Sequence, residues 1–184
     1  MPIRLTCIRL GTRDLSASYF LGLGVPAGLA LGTGAGEIVQ PLAPLAPHAL
    51  LILPQAGQLA TAEVYREADR LGLPRIASEL SARCRELVSG LDSGSELPAR
   101  MVVNDLEPAA VSLCPQIEDA LEHARRSGAD HAIVCGSGPT VAGLYWGTEA
   151  LARATTGAQA LGARFAGAVA VGPVGGAIAA PQPA

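Results

Sequence analysis

The chain has 184 residues, 49% hydrophobic, 16% charged and 3% aromatic, a length that suits one domain, or one and a fragment, with a real core. A mean hydropathy of +0.35 excludes a disordered chain, which needs few apolar residues and many charges. The net charge is −3 and all 13 basic residues are arginine, which excludes lysine chemistry and argues against the clustered basic surface of nucleic-acid binders.

Residues 1–47 read as irregular: arginine-spotted, then Gly-rich, then Pro-rich, with room for a short strand at Gly28–Thr33. Leu15–Gly36 and Ile38–Ala62 carry no charge, but Gly22, Gly24, Pro26, Gly28 and Gly32 interrupt the first. Pro41, Pro44, Pro47 and Pro54 interrupt the second. This punctuation argues against a membrane span or a leader in either, and a soluble protein with no membrane partner is expected, a leader in residues 1–36 being the competing reading. His48–Leu53, HALLIL, is a continuous apolar run stopped by Pro54 and predicts a buried strand.

Three helices are expected next. Ala60, Val64, Ala68 and Leu71 keep helical spacing, with Thr61 as N-cap and Gly72 as stop. Ile76, Leu80, Cys84, Leu87, Val88 and Leu91 form a second stripe. The third starts near Pro115, with Ile117, Leu121 and Ala124 inward. Its acids, Glu118 and Asp119, sit at the positive end and Arg125 and Arg126 at the negative end.

A strand at Asp130–Cys135, the turn GSGPT at Gly136–Thr140, and a strand at Val141–Trp146 follow. Thr148 then caps a helix that puts Leu151, Ala154, Ala158 and Leu161 inward, weakened by Gly157. Arg164–Val171 is the last strand. The order β–helices–β–β–α–β is the split βαβ, ferredoxin-like pattern, an α+β fold with extra helices after its first strand. The expected division is an irregular segment 1–47 and a domain 48–184.

Cys7, Cys84, Cys114 and Cys135 share no short spacing, so buried free thiols in a reducing cytoplasm are expected, without a zinc site or redox pair. His48, His123 and His131 lack ligand spacing, and no residue is assigned to a metal. Two places carry candidate chemistry. In Gly136-Ser137-Gly138-Pro139-Thr140 the glycines let backbone N–H groups converge on an anion, and Ser137 and Thr140 add hydroxyls. The G-K-[ST] end of a Walker loop is missing, and a plain strand connection is the competing reading. The second place is Asn104, Asp105 and Glu107, at a helix entrance. They either cap that helix or face a cleft and bind polar substrate groups.

These segments together resemble the C-terminal part of the 4-diphosphocytidyl-2-C-methyl-D-erythritol kinases, within the GHMP kinase superfamily. The resemblance is carried in chain order by ALGTGAGEIVQPL (Ala30–Leu42), TAEVYREADRL (Thr61–Leu71), NDLEPAAVSLCPQI (Asn104–Ile117), SGADHAIVCGSGPTVAGL (Ser127–Leu144) and AVAVGPVGGA (Ala168–Ala177). It implies ATP-dependent phosphorylation of the 2-hydroxyl of the cytidine-linked methylerythritol, with Mg2+ accompanying the nucleotide, in non-mevalonate isoprenoid synthesis. It also implies a two-lobed protein, the C-terminal lobe ferredoxin-like, with Gly136–Thr140 near the phosphates and acceptor.

The family's N-terminal lysine and its P-x-x-x-G-L-G-[GS]-[GS]-S-S ATP loop are absent from these 184 residues. The expectation is therefore a C-terminal lobe lacking its ATP-binding lobe. The family's proposed base is the aspartate of L-G-[AS]-D-V-P. LGLGVP at Leu21–Pro26 places Gly24 at that position, while LGTRD at Leu10–Asp14 offers Asp14. A different class stands beside the kinase: a non-catalytic ferredoxin-like module that binds a small ligand or another subunit.

Overall fold

The structure is a computed structural model and describes residues 30–33, 38–73, 77–90 and 94–173. Asp14, Gly24 and Cys7 lie outside the described residues. The chain divides into two compact units, one comprising 1–45, 76–95 and 173–184, the other 46–75 and 96–172.

In the first unit, strands β1 (Ala30–Thr33) and β2 (Ile38–Pro41) pair antiparallel, with Leu31 opposite Gln40. The short strand expected at Gly28–Thr33 is present, and it has a partner inside a stretch that composition reads as irregular. Pro41 ends β2 because proline has no N–H to give a ladder. Helix α2 (Ala77–Gly90) belongs to this unit and buries Leu80. Leu45 and Ser95 form a parallel bridge, and the Gly94 N–H donates to the Pro44 carbonyl at 2.8 Å.

The second unit holds the four-stranded sheet. Its strands are β3 (His48–Leu53), β4 (His131–Val134), β5 (Val141–Trp146) and β6 (Val169–Val171), in the spatial order β4-β5-β3-β6, all antiparallel. This is the ferredoxin-like order expected from the chain pattern. HALLIL forms β3 over its whole length. It alternates, with Ala49, Leu51 and Leu53 fully buried and Leu50 and Ile52 half-buried. Strand β5, between β4 and β3, is buried throughout.

Helices α1 (Thr61–Arg70), α3 (Glu107–Leu113), α4 (Gln116–Arg126) and α5 (Ala150–Leu161) complete the unit. The expected stripe of α4 is the buried one: Ile117 and Ala124 are fully buried and Leu121 nearly so. Among the described residues no helix is long and apolar enough to cross a membrane.

Three sequence expectations shift. The last strand covers Val169–Val171, not Arg164–Val171, because the chain turns first. The Arg164 and Phe165 N–H groups both donate back to the Leu161 carbonyl, and that of Ala168 to Phe165. Next, α5 starts at Ala150 with no side-chain cap, so Thr148 is not its cap. Its inward face holds Ala150, Ala154 and Gly157, while Leu151 is 51% exposed. Finally, Cys84, Cys114 and Cys135 are free as expected but only half-buried.

Gly157 weakens helix propensity yet fits the packing. A Cβ there would stand 2.9 Å from the Tyr145 hydroxyl and 3.3 Å from Leu51 Cδ2. The Tyr145 hydroxyl lies 2.7 Å from Ser127 Oγ, so it is held in place. Gly143 similarly lets the chain after α4 approach, with Ala129 Cβ 3.0 Å from where its Cβ would stand. We expect Gly157→Leu to cost about 1–3 kcal/mol or more as an overpacked site, and Leu151→Gln to stay within about 0.5 kcal/mol. Denaturant titration of both variants checks this; equal losses would contradict the observed helix facing.

Helices α1 and α3 are tied at their surface by Glu67. Its carboxylate accepts from Arg70 Nε at 2.6 Å and from the Ser112 hydroxyl at 2.5 Å. These hydrogen bonds, Arg70 first, hold its pKa down to about 2 from 4.5. A carboxyl depressed in the folded state contributes stability above its unfolded value and loses it as pH falls through the folded one. The difference in Tm between the parent and Glu67→Gln should therefore be constant above about pH 5 and shrink as pH falls toward 2. A difference that ignores pH over that window would show that the ion pair contributes nothing.

Candidate phosphate-side turn and its supports

The site is built on the connection between β4 and β5. The Cys135 N–H donates to the Thr140 carbonyl at 2.8 Å, and the Gly138 N–H donates to the Cys135 carbonyl at 2.9 Å. Gly136 occupies the first central position of that inner turn with φ +58, a conformation that disfavours any residue with a Cβ. Gly138 has φ +79, and its peptide bond to Pro139 is cis.

Around Gly138 the packing is close. A Cβ there would meet Val134 Cγ1 at 3.2 Å, Ala110 Cβ at 3.4 Å and Leu59 Cδ1 at 3.4 Å. The turn thus rests on β4, on α3 and on the segment leading into α1. Gly136 is exposed, and Ser137, Gly138, Pro139 and Thr140 are half-buried.

Ser137 Oγ lies 3.0 Å from Thr61 Oγ1, at the first residue of α1. Thr61, expected as an N-cap, uses its hydroxyl here; the cap position is Ala60, with no side-chain hydrogen bond. Nothing in the sequence signals this contact across 76 positions. Neither the Gly136 nor the Ser137 N–H donates to an acceptor among the described residues. The turn therefore spends part of its polar groups internally and leaves two successive N–H groups without an acceptor among the described residues.

Asn104 and Glu107 converge on the same place from the other side. Asn104 Nδ2 donates to the Val134 carbonyl at 2.8 Å and to the Gly136 carbonyl at 2.7 Å. Its Oδ1 accepts from the Leu106 N–H at 3.0 Å, the backbone bond expected at a helix entrance. Glu107 Oε2 accepts from the Val134 N–H at 3.0 Å. Asp105 lines a hollow of about 450 Å³ together with Asn104 and Glu107, walled by Leu73, Val102, Val103, Pro108 and Ala132. Among the described residues no group of three or more His, Cys, Asp or Glu side chains is placed to hold a metal ion.

The comparisons with known proteins agree with this architecture. The family model described as GHMP kinases C terminal matches residues 86–168. The chain is 40% identical over 143 residues to a 4-diphosphocytidyl-2-C-methyl-D-erythritol kinase of Streptomyces avermitilis, covering 73% of this chain and 48% of that protein. It is 40% identical over 185 residues to the protein of the same name from Mycolicibacterium smegmatis, covering 93% of this chain and 55% of that protein. The chain thus spans about half the length of the curated relatives it matches.

A crystal structure of a 4-(cytidine 5'-diphospho)-2C-methyl-D-erythritol kinase superposes with a TM-score of 0.58 at 27% identity, over 86% of this chain and 53% of that one. By family match, sequence identity and fold together, this chain carries a GHMP kinase C-terminal domain related to that of the 4-diphosphocytidyl-2-C-methyl-D-erythritol kinases.

Proposed function

We propose that this chain supplies the C-terminal lobe, residues 48–184, of an ATP-dependent cytoplasmic kinase of isoprenoid biosynthesis. Its acceptor is the 2-hydroxyl of 4-diphosphocytidyl-2-C-methyl-D-erythritol, and an N-terminal lobe carrying the glycine loop and lysine completes the cleft. The observation that carries this reading is the pair of uncommitted N–H groups at Gly136 and Ser137, beside Thr61 at the start of α1. Successive backbone N–H groups in a glycine turn bind anionic oxygens, and a helix start adds a favourable dipole. ATP supplies the phosphoryl group, and the turn orients its oxygens against the acceptor. Magnesium would accompany the nucleotide and offset phosphate charge; among the described residues no group of three or more His, Cys, Asp or Glu is placed to hold it.

The test is a chimera that joins the N-terminal half of the Streptomyces avermitilis relative to this chain. It should phosphorylate the cytidine-linked methylerythritol with ATP. A folded chimera without that turnover would overturn the kinase reading and favour a non-catalytic binding module.

A further inference from the structure

We infer that Asn104 and Glu107 are positioning residues that clamp the free edge of β4 and thereby set the Gly136–Thr140 turn. Among the described residues strand β4 pairs only with β5, so one of its sides has no neighbouring strand there. In an antiparallel pair the residues alternate between exchanging hydrogen bonds and pointing them outward. Cys135 bonds to Thr140, which leaves Val134, opposite Val141, with its N–H and C=O facing the open side. An edge of this kind needs partners or it recruits foreign strands.

Here two side chains act in place of a neighbouring strand. Glu107 takes the Val134 N–H at 3.0 Å, and Asn104 gives one amide hydrogen to the Val134 carbonyl at 2.8 Å. The second amide hydrogen goes to the Gly136 carbonyl at 2.7 Å, so Asn104 spans the two carbonyls on either side of Cys135. This holds the backbone where it enters the turn and aims the peptide between Gly136 and Ser137.

The residue types follow from the chemistry. Only an amide offers two donors and an acceptor on one short side chain; an aspartate would present two acceptors to two carbonyls. Glu107 needs only an acceptor oxygen, so a glutamine can replace it, which would not hold for an acid, a base or a metal ligand. The clamp itself stands on these distances, while its use in phosphate recognition rests on the reading under Proposed function.

The test uses the 15N-labelled 184-residue chain with inorganic diphosphate as probe, following amides by NMR, with the Leu51 and Tyr145 amides as controls for global unfolding. Glu107→Ala should speed exchange of the Val134 amide by about tenfold or more, as a lost hydrogen bond allows. Glu107→Gln should restore it to within about threefold of the parent. Asn104→Asp should move the Gly136 and Ser137 amide signals and weaken diphosphate binding about tenfold; Asn104→Ala serves if that variant does not fold. Unchanged Val134 exchange in Glu107→Ala overturns the clamp, and so does Glu107→Gln behaving like Glu107→Ala. Retention of parental diphosphate affinity in Asn104→Ala overturns the positioning role. If diphosphate shifts no turn amide in the parent chain, the phosphate reading fails on its own, and Val134 exchange still decides the clamp.

Discussion

Assayed alone with ATP and 4-diphosphocytidyl-2-C-methyl-D-erythritol, the 184-residue polypeptide should show no turnover in the ordinary enzyme range of roughly 1–10³ per second. Phosphoryl transfer leaves little covalent work to the protein; it depends on aligning donor and acceptor and on meeting the charge spread over the transferred oxygens. Under the function proposed above, the turn brings the Gly136 and Ser137 N–H groups to that charge. Losing a single preorganised donor typically costs about 10²–10³ in rate, and a whole glycine loop supplies several. No lysine is present anywhere in the 184 residues. Arg70, on α1, is already bound to Glu67. General-base help, worth about 10²–10⁴, does not replace lost alignment. A coupled assay measuring ADP release decides the matter. Turnover within the range above would mean that this lobe alone assembles a complete site.

Gly138→Val should be the most damaging single change at the turn. A β-branched residue at φ +79 is strained by about 1–2 kcal/mol before any contact is considered. Its Cβ would press on Val134, Ala110 and Leu59, and overpacking of this kind adds about 1–3 kcal/mol. For a chain of this size, each kcal/mol lowers Tm by about 2–4 °C, so a drop of order 5–20 °C is expected by thermal denaturation. A Tm within about 2 °C of the parent would show that the turn is not packed against α3 as described. A bulky residue at 138 thus disturbs folding together with any role in catalysis. Gly136 separates them better, because a Cβ there meets nothing within 4 Å although its φ is +58.

Much of the fold was legible in the order and spacing of apolar residues. HALLIL before Pro54 is too short for a helix and too apolar for a surface strand, and it forms the inner strand β3 along its full length. Ile117, Leu121 and Ala124 recur at helical spacing, so α4 could be placed together with its buried face. The turn at Gly136–Thr140 was legible because glycine is the residue that tolerates positive φ. Its strands are short and contiguous in sequence, so their pairing is local and follows from the turn itself.

Other features depend on which surface comes to meet each residue. Leu151, expected inward, faces out, while Gly157 packs inward where Tyr145 and Leu51, from two strands, leave no room for a side chain. The last strand is cut to Val169–Val171, since only those three residues find partners along β3. Asn104 and Glu107 read equally well as caps or as substrate contacts, because their partners lie 27 to 32 positions away in β4 and just beyond it. Sequence by itself determined the strand order, the helix stripes and the need for glycine at the turn, all of which rest on local conformation and on the separation of apolar from polar groups. Tertiary structure alone decided which backbone groups those polar side chains satisfy, since a hydrogen bond requires its two atoms to lie about 3 Å apart and chain separation says nothing of that distance.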